Sequence, residues 1–207
     1  MDFRIYGDNV VECERTLSLI TRGFALPQSS IVGPTGSSVC PKFTTNLLDN
    51  THHSFQFFPG YGQGRWTSDI LSAIAAQGGL LREAADAIVT RLSKDGEQVL
   101  FALEYCGALP AGNQAWQRNG RAFSYAHSGV PYFYVAELGG YELTGSRERK
   151  SERLPNPAVP FSFLSVSAEN SASALPVYVQ SPGASAATLK AYSPIYGLDT
   201  LLLVMRS

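Results

Sequence analysis

The chain has 207 residues, 44% of them hydrophobic and 16% charged, and its 16 basic and 17 acidic side chains leave a formal charge of −1. That length and apolar content support a folded domain with one substantial core, and near-neutrality removes any whole-chain electrostatic signature for nucleic acid. The three cysteines, Cys13, Cys40 and Cys106, are odd in number and lack CxxC spacing, which argues against a zinc site and fits a reducing cytoplasm.

The first segment, MDFRIYGDNVVECERTLSLITRG, has no signal-peptide apolar region, and no later apolar run approaches a membrane span. It reads as a helix from Asn9 to Thr21, with Asp8 as N-cap and Gly23 as stop. At about 100° per residue, Val10, Cys13, Leu17 and Ile20 form its apolar stripe. Glu14 falls at the edge of that stripe and Glu12 on the opposite side, so Glu14 is the better-placed carboxylate.

SSIVGPTGSSVCPKFTTNLLD then reads as a loop carrying one or two short strands. In HHSFQFFPGYGQGRW, Phe55 and Phe57 alternate in a strand that ends in a glycine-rich turn. His52 and His53 are adjacent there, point to opposite faces, and make a poor metal pair. The turn bears Tyr61, Arg65 and Trp66, which can stack on a base and touch a phosphate, or simply pack a hairpin corner. TSDILSAIAAQGG is a short helix capped by Ser68 and ended by Gly78.

The apolar runs DAIVTRL and VLFALEYC flank SKDGEQ, whose Asp95-Gly96 is a turn signal, so the two runs form a hairpin. Folding it about Asp95 sets Asp86 opposite Glu104 to within one residue. Directly opposed Cβ atoms are roughly 5 Å apart. Like charges at that distance repel unless a cation intervenes, and removing either carboxylate should then leave the metal-free protein no less stable. Alternation puts Leu100, Ala102, Glu104 and Cys106 on one face and Phe101, Leu103 and Tyr105 on the other. Glu104 is the one charge in a run that reads as buried on both faces. Two carboxylates so placed suit a hard cation such as Mg²⁺, which takes oxygen ligands and can activate water beside a phosphodiester.

A helix follows from Asn113 to His127, with Gln114, Arg118, Arg121 and Tyr125 on one stripe. Gln114 can orient a water, and Arg118 and Arg121 can meet a phosphate, or the stripe is an ordinary solvated face. VPYFYVAEL is the next strand. The order helix, strand, strand, helix, strand is that of an α/β sandwich. Beyond Leu138, GSRERKSER is a mixed-charge loop whose Arg149 and Lys150 can contact a DNA backbone. PFSFLSVS and LPVYVQS read as short strands in a Pro, Ser and Ala-rich tract. GLDTLLLVMRS ends the chain as a helical start without a stop signal, which suggests a longer protein or a helix buried against a partner.

The catalytic motifs GxxxxGK[ST], GxGxxG after a strand, and HExxH do not occur. A thiol hydrolase using Cys106 and His127 is conceivable, but Cys106 ends an apolar strand, where a structural thiol is expected.

The hairpin and its carboxylates resemble the PD-(D/E)XK nuclease superfamily, which includes type II restriction endonucleases. Ala85-Asp86 stands where the family has Pro-Asp, and Glu104-Tyr105-Cys106 where it has Glu-x-Lys; the resemblance spans residues 8 to 140. It implies a restriction-endonuclease-like mixed sheet flanked by helices. It also implies Mg²⁺ held by Asp86 and Glu104 with the Tyr105 carbonyl, and Glu14 as a helix carboxylate completing the shell. The missing lysine's role would fall to the following helix, through Gln114 and Arg118. The expected protein is thus a cytoplasmic Mg²⁺-dependent endodeoxyribonuclease of restriction type, with Arg65, Arg121, Arg149 and Lys150 on the DNA. The alternative is an inactive nuclease-fold module that binds DNA or protein. A nuclease-like core over 1–145 and an extension over 146–207 are expected, with a homodimer or further domains left open.

Overall fold

In the computed structural model, which describes residues 1–23, 30–46, 52–63, 66, 69–79, 84–106, 112–138, 141–143, 149–152 and 158–180, the chain opens on a strand the sequence reading missed. This strand, β1 (Asp2–Gly7), pairs in parallel with β4 (His52–Pro59) and antiparallel to β5 (Ala87–Ser93). Its start is exposed, but Ile5, Tyr6 and Gly7 are buried. Asp2, Phe3, Arg4 and Ile5 alternate polar and apolar, the pattern of a half-buried strand, in a run of only six residues before the helix.

Helix α1 (Val10–Gly23) follows at once and packs on β1, β4 and β5. Its cap is Asn9 rather than Asp8: Asn9 Oδ1 accepts the Glu12 N–H at 3.1 Å. The close approach requires Gly7, where a Cβ would stand 2.6 Å from Cys13 Sγ. Cys13, Thr16, Leu17, Leu19 and Ile20 are buried, whereas Val10 is 43% exposed. The stripe is therefore turned toward Thr16 and Leu19. Glu12 becomes half-buried and Glu14 exposed, the reverse of the expected order. Burial pushes the Cys13 thiol up to about 12.

Two strands, β2 (Val32–Ser37) and β3 (Cys40–Asn46), precede β4, and α2 (Ile70–Ala76) follows it. Asp69, not Ser68, caps α2, with Oδ1 accepting the Ser72 N–H at 3.0 Å; Ser68 lies outside the described residues. The hairpin is β5 and β6 (Gly96–Cys106), closed by Lys94-Asp95 between the paired Ser93 and Gly96. Gly96 has φ 124°, a value that favours glycine. A bulge at Val89/Thr90 shifts the register by one, so that Ala87 opposes Leu103.

The chain folds as two units, Met1–Leu103 and Glu104–Ser207. In the first, the described strands lie in the order β6-β5-β1-β4-β3-β2, with β1/β4 parallel and β6/β5, β5/β1, β4/β3 and β3/β2 antiparallel. One ionic cluster ties three of them together. Glu97 of β6 accepts from Arg4 Nη1 at 2.7 Å, Tyr6 Oη at 2.7 Å and Thr90 Oγ1 at 2.5 Å. Arg4 also lies 5.2 Å over the Phe58 ring.

In the second unit, α3 (Gly112–His127) leads to β7 (Tyr132–Leu138), as expected. Next come β8 (Tyr141–Leu143) and β9 (Arg149–Glu152), an antiparallel pair, so Arg149 and Lys150 belong to a strand and not a loop. Helix α4 (Ala158–Glu169) replaces the strand expected at PFSFLSVS. Pro160 suits its first turn, Phe163 and Val166 are buried one turn apart, and Asn170 Nδ2 donates to the Val166 carbonyl at 2.8 Å. β10 (Ala174–Gln180) runs parallel to β7, and α4 packs against it and α3. The protein is α/β, with a mixed sheet flanked by helices, as its element order suggested. The C-terminal GLDTLLLVMRS lies outside the described residues.

Glu97→Ala deprives Arg4, Tyr6 and Thr90 of their shared acceptor. It is expected to lower unfolding stability by about 2–4 kcal/mol, read by urea denaturation. Cys13 yields a pH prediction. Its folded value is raised above the unfolded one, so its stabilisation is complete below the unfolded value and is lost as pH climbs toward 12. Cys13→Ala should therefore flatten the alkaline fall in stability relative to the parent chain, measured by denaturation from pH 8 upward.

Candidate functional site

Residues Phe101 to Cys106 of β6 are all buried, and Glu104 is 1% exposed. A carboxylate that deep needs a counter-charge and hydrogen bonds, because desolvating it alone costs several kcal/mol. Helix α3 supplies both. Arg118 and Arg121 are three residues apart and so share a face. Arg118 Nε donates to Glu104 Oε1 at 2.9 Å, and Arg121 Nη1 donates to Oε1 at 2.9 Å and to Oε2 at 3.2 Å. The Tyr132 hydroxyl, fully buried on β7, reaches Oε2 at 3.4 Å.

The same Arg118 guanidinium extends Nη1 to Cys106 Sγ at 3.4 Å and lies 6.0 Å from the Tyr134 ring centroid. Burial pulls its pKa down, but the hydrogen bond to Glu104 and the neighbouring Cys106 and Tyr134 outweigh that, leaving it raised. Arg118 is therefore a fixed cation. Tyr125, expected on a polar stripe, is 2% exposed, and its ring lies 5.7 Å from that of Tyr132. This side of α3 faces the protein, not solvent.

The remaining candidates are more scattered. Asp86 is half-buried in a bend just before β5, and its carbonyl accepts the Asp8 N–H at 2.9 Å. Glu14 is exposed on α1, while Glu12 carries an ion pair with Arg15 at 3.7 Å. Gln114 lies in the first turn of α3, and its side chain falls outside the described residues, as do Arg65 and the side chains of Arg149 and Lys150. The aromatic turn packs on itself: Tyr61 Oη donates to the Ala85 carbonyl at 2.5 Å and Trp66 Nε1 to the Pro59 carbonyl at 2.9 Å. His52 is exposed and His53 buried, on opposite faces as read. His127 is exposed at the far end of α3 beside Asn170, about 13 Å along the helix from Arg118, so it makes no dyad with Cys106.

Tyr132 and Tyr134 escaped the sequence reading. The signal was their spacing of two in PYFYVAEL, which sets both on one face of β7. No protein-family model, no curated protein and no solved structure matches this chain. No described helix is long and apolar enough to cross a membrane.

The resemblance implies magnesium, for which Glu104 supplies one carboxylate, but it sits between two guanidiniums that oppose a divalent cation. Oε1 holds two short bonds to cations, whereas Oε2 holds only the longer contacts to Arg121 and Tyr132. A carboxylate oxygen is the right donor for a hard cation, and both oxygens of Glu104 already accept from protein donors. Among the described residues, no group of three or more His, Cys, Asp or Glu side chains is placed to hold a metal.

These contacts reverse the expectation that losing Glu104 costs nothing. Glu104→Ala leaves two guanidiniums facing each other in a dry site and is expected to cost about 3–5 kcal/mol in urea denaturation. The thiols give a second test. Cys40 is half-buried, and Cys13 and Cys106 are buried. Iodoacetamide should label Cys40 first and Cys106 only on unfolding, as read by mass spectrometry.

Proposed function

We propose that this chain is a Mg²⁺-dependent endodeoxyribonuclease of the PD-(D/E)XK type, acting as a cytoplasmic restriction endonuclease or its nuclease domain. The observation that carries the reading is the position of Arg118. In the resembling motif a lysine stands two residues after the glutamate, and here that position is Cys106. The Arg118 guanidinium lies against Cys106 Sγ while binding Glu104, so a permanent cation stands beside the residue that replaces the lysine. A half-buried guanidinium presents a planar fork suited to a phosphate, and its charge does not titrate near neutral pH.

In this reading Asp86 and Glu104, with the Tyr105 carbonyl, hold Mg²⁺, which would activate a water and neutralise charge on the phosphodiester. Arg118 stabilises the negative charge that builds on the phosphate, held ready by Glu104 and the Tyr134 ring so that little reorganisation is needed. Gln114 orients the attacking water. Arg121, Arg65, Arg149 and Lys150 are the proposed contacts to the DNA backbone, which position the duplex without reading its sequence. Glu14 is the least supported member of the set, because it is exposed on α1.

One observation favours a second reading, a nuclease-fold module that binds DNA or protein without cutting. Arg118 and Arg121 are both engaged with Glu104, as in a purely structural ion-pair network.

Plasmid cleavage decides between the two. The wild-type chain is expected to cut supercoiled DNA with MgCl₂ and not with EDTA. Asp86→Asn should abolish cutting, and Arg118→Ala should slow it by about 2–4 kcal/mol at saturating DNA and Mg²⁺. Cutting in EDTA, or full activity in Asp86→Asn, would sink the nuclease reading. DNA retained on a gel but never cut, with Mg²⁺ making no difference, would establish the binding module.

A further inference from the structure

The register of the first unit's sheet sets Arg4, Gln56 and Lys42 side by side on β1, β4 and β3. Opposed residues share a face, so three polar side chains stand on neighbouring strands about 4.8 Å apart. Their hydrogen-bonding capacity is poorly used. Arg4 makes its bonds to Glu97 and Tyr6 through Nη1, and its Nε is buried without a partner among the described residues. A buried donor left so carries its full desolvation penalty. Gln56 Nε2 donates to Cys40 Sγ at 3.3 Å, a weak acceptor. Lys42 Nζ is 3.9 Å from Asp2, and with these side chains 45% and 62% exposed, solvent screens the pair. Glu97, by contrast, is saturated by Arg4, Tyr6 and Thr90, so it fixes Arg4 in place from the Nη1 end.

We propose that Arg4, Gln56 and Lys42 form a binding site for a phosphate group, free or as a monoester. The Nε edge of a guanidinium matches a pair of oxygens, and the Phe58 ring 5.2 Å from Arg4 holds its plane. The Gln56 amide and the Lys42 ammonium, on the next two strands, add donors for a third oxygen. A carboxylate has only two oxygens and leaves that end of the row unmatched. Binding breaks no strong contact: Gln56 leaves a sulfur, Lys42 leaves a screened surface pair, and Arg4 keeps Glu97. The Arg4 side chain is 27% exposed, so the guanidinium is reached from solvent. Burial raises the pKa of the neighbouring Cys40 thiol, which stays neutral and adds no charge against an anion. This site shares no residue with the Glu104 cluster and does not depend on the nuclease reading.

Sodium phosphate is titrated into the full chain at constant ionic strength and followed by NMR at the arginine Nε–H signals. The Arg4 signal is assigned by its loss in Arg4→Lys, a variant that removes Nε but keeps a cation for Glu97 and so protects the fold. Calorimetry gives the affinity of each variant. The expected result is a saturable shift of the Arg4 signal, with phosphate bound about tenfold more weakly by Lys42→Ala and by Arg4→Lys. Acetate, and an oligothymidylate without terminal phosphates, should move the Arg4 signal far less. The first control separates phosphate from a carboxylate, and the second separates a free or monoester phosphate from a nucleic-acid backbone. An Arg4 signal that phosphate leaves unmoved, an equal response to acetate, or undiminished affinity in Lys42→Ala overturns the site. A response to the oligonucleotide and not to phosphate overturns it as well. Plasmid cutting by wild type is read separately, so the nuclease reading stands or falls independently of these outcomes.

Discussion

The second unit is organised around a single buried charge. Glu104 lies in a β6 run with no solvent to stabilise it, so the fold must bring cations to it. Two arginines from one face of α3 do so, and a tyrosine from β7 adds a hydroxyl. These contacts pin the helix to the strand in one rotation and one height, because a shift of one residue would swing both guanidiniums away. Apolar packing alone is more permissive. A buried ionic triad is a costly way to gain stability, and replacing it with hydrophobic groups is often neutral or better.

An aromatic layer packs beside this cluster. The Phe163 ring of α4 stacks 5.2 Å from Tyr134 and 6.3 Å from Tyr132, and Tyr132 in turn meets Tyr125 of α3. The same two β7 tyrosines thus face the hydrophobic layer with their rings and the charged cluster with a hydroxyl and a π face. Low local polarity strengthens each electrostatic contact and raises the cost of breaking any one of them.

Legibility in the sequence followed how much each element depends on its own pattern. The β5–β6 hairpin, α3, β7 and β10 carry strong periodicity or turn chemistry and were readable as elements in chain order, the hairpin also in its register to within one residue. β1 is a short polar–apolar alternation directly before α1, and its place beside β4 and β5 is set by partners distant in the chain. PFSFLSVS alternates like a strand, yet Pro160 in a first turn and the Phe163–Val166 spacing suit a helix equally, and packing against α3 and β10 goes with the helix. Glu12 and Glu14 exchanged roles because the α1 stripe is set by Thr16 and Leu19, a threonine counted as polar and a leucine outside the first stripe drawn. Of the site, Glu104 and the arginine stripe were legible as separate facts. Their meeting was not, since it depends on where α3 docks.

A cysteine at position 106 has a physical rationale. A lysine there would bring its own ammonium on a flexible stem into a core that already holds two guanidiniums and one carboxylate, adding a third cation beside a single anion. A small, neutral thiol avoids that repulsion and leaves room for the Arg118 fork, whose Nη1 sits 3.4 Å from the sulfur. The two positions are thus coupled: a helix arginine can occupy this place only if the strand residue beneath it is small and uncharged. Cys106→Lys should therefore destabilise this cluster. It would set an ammonium against Arg118 and weaken the hold on Glu104.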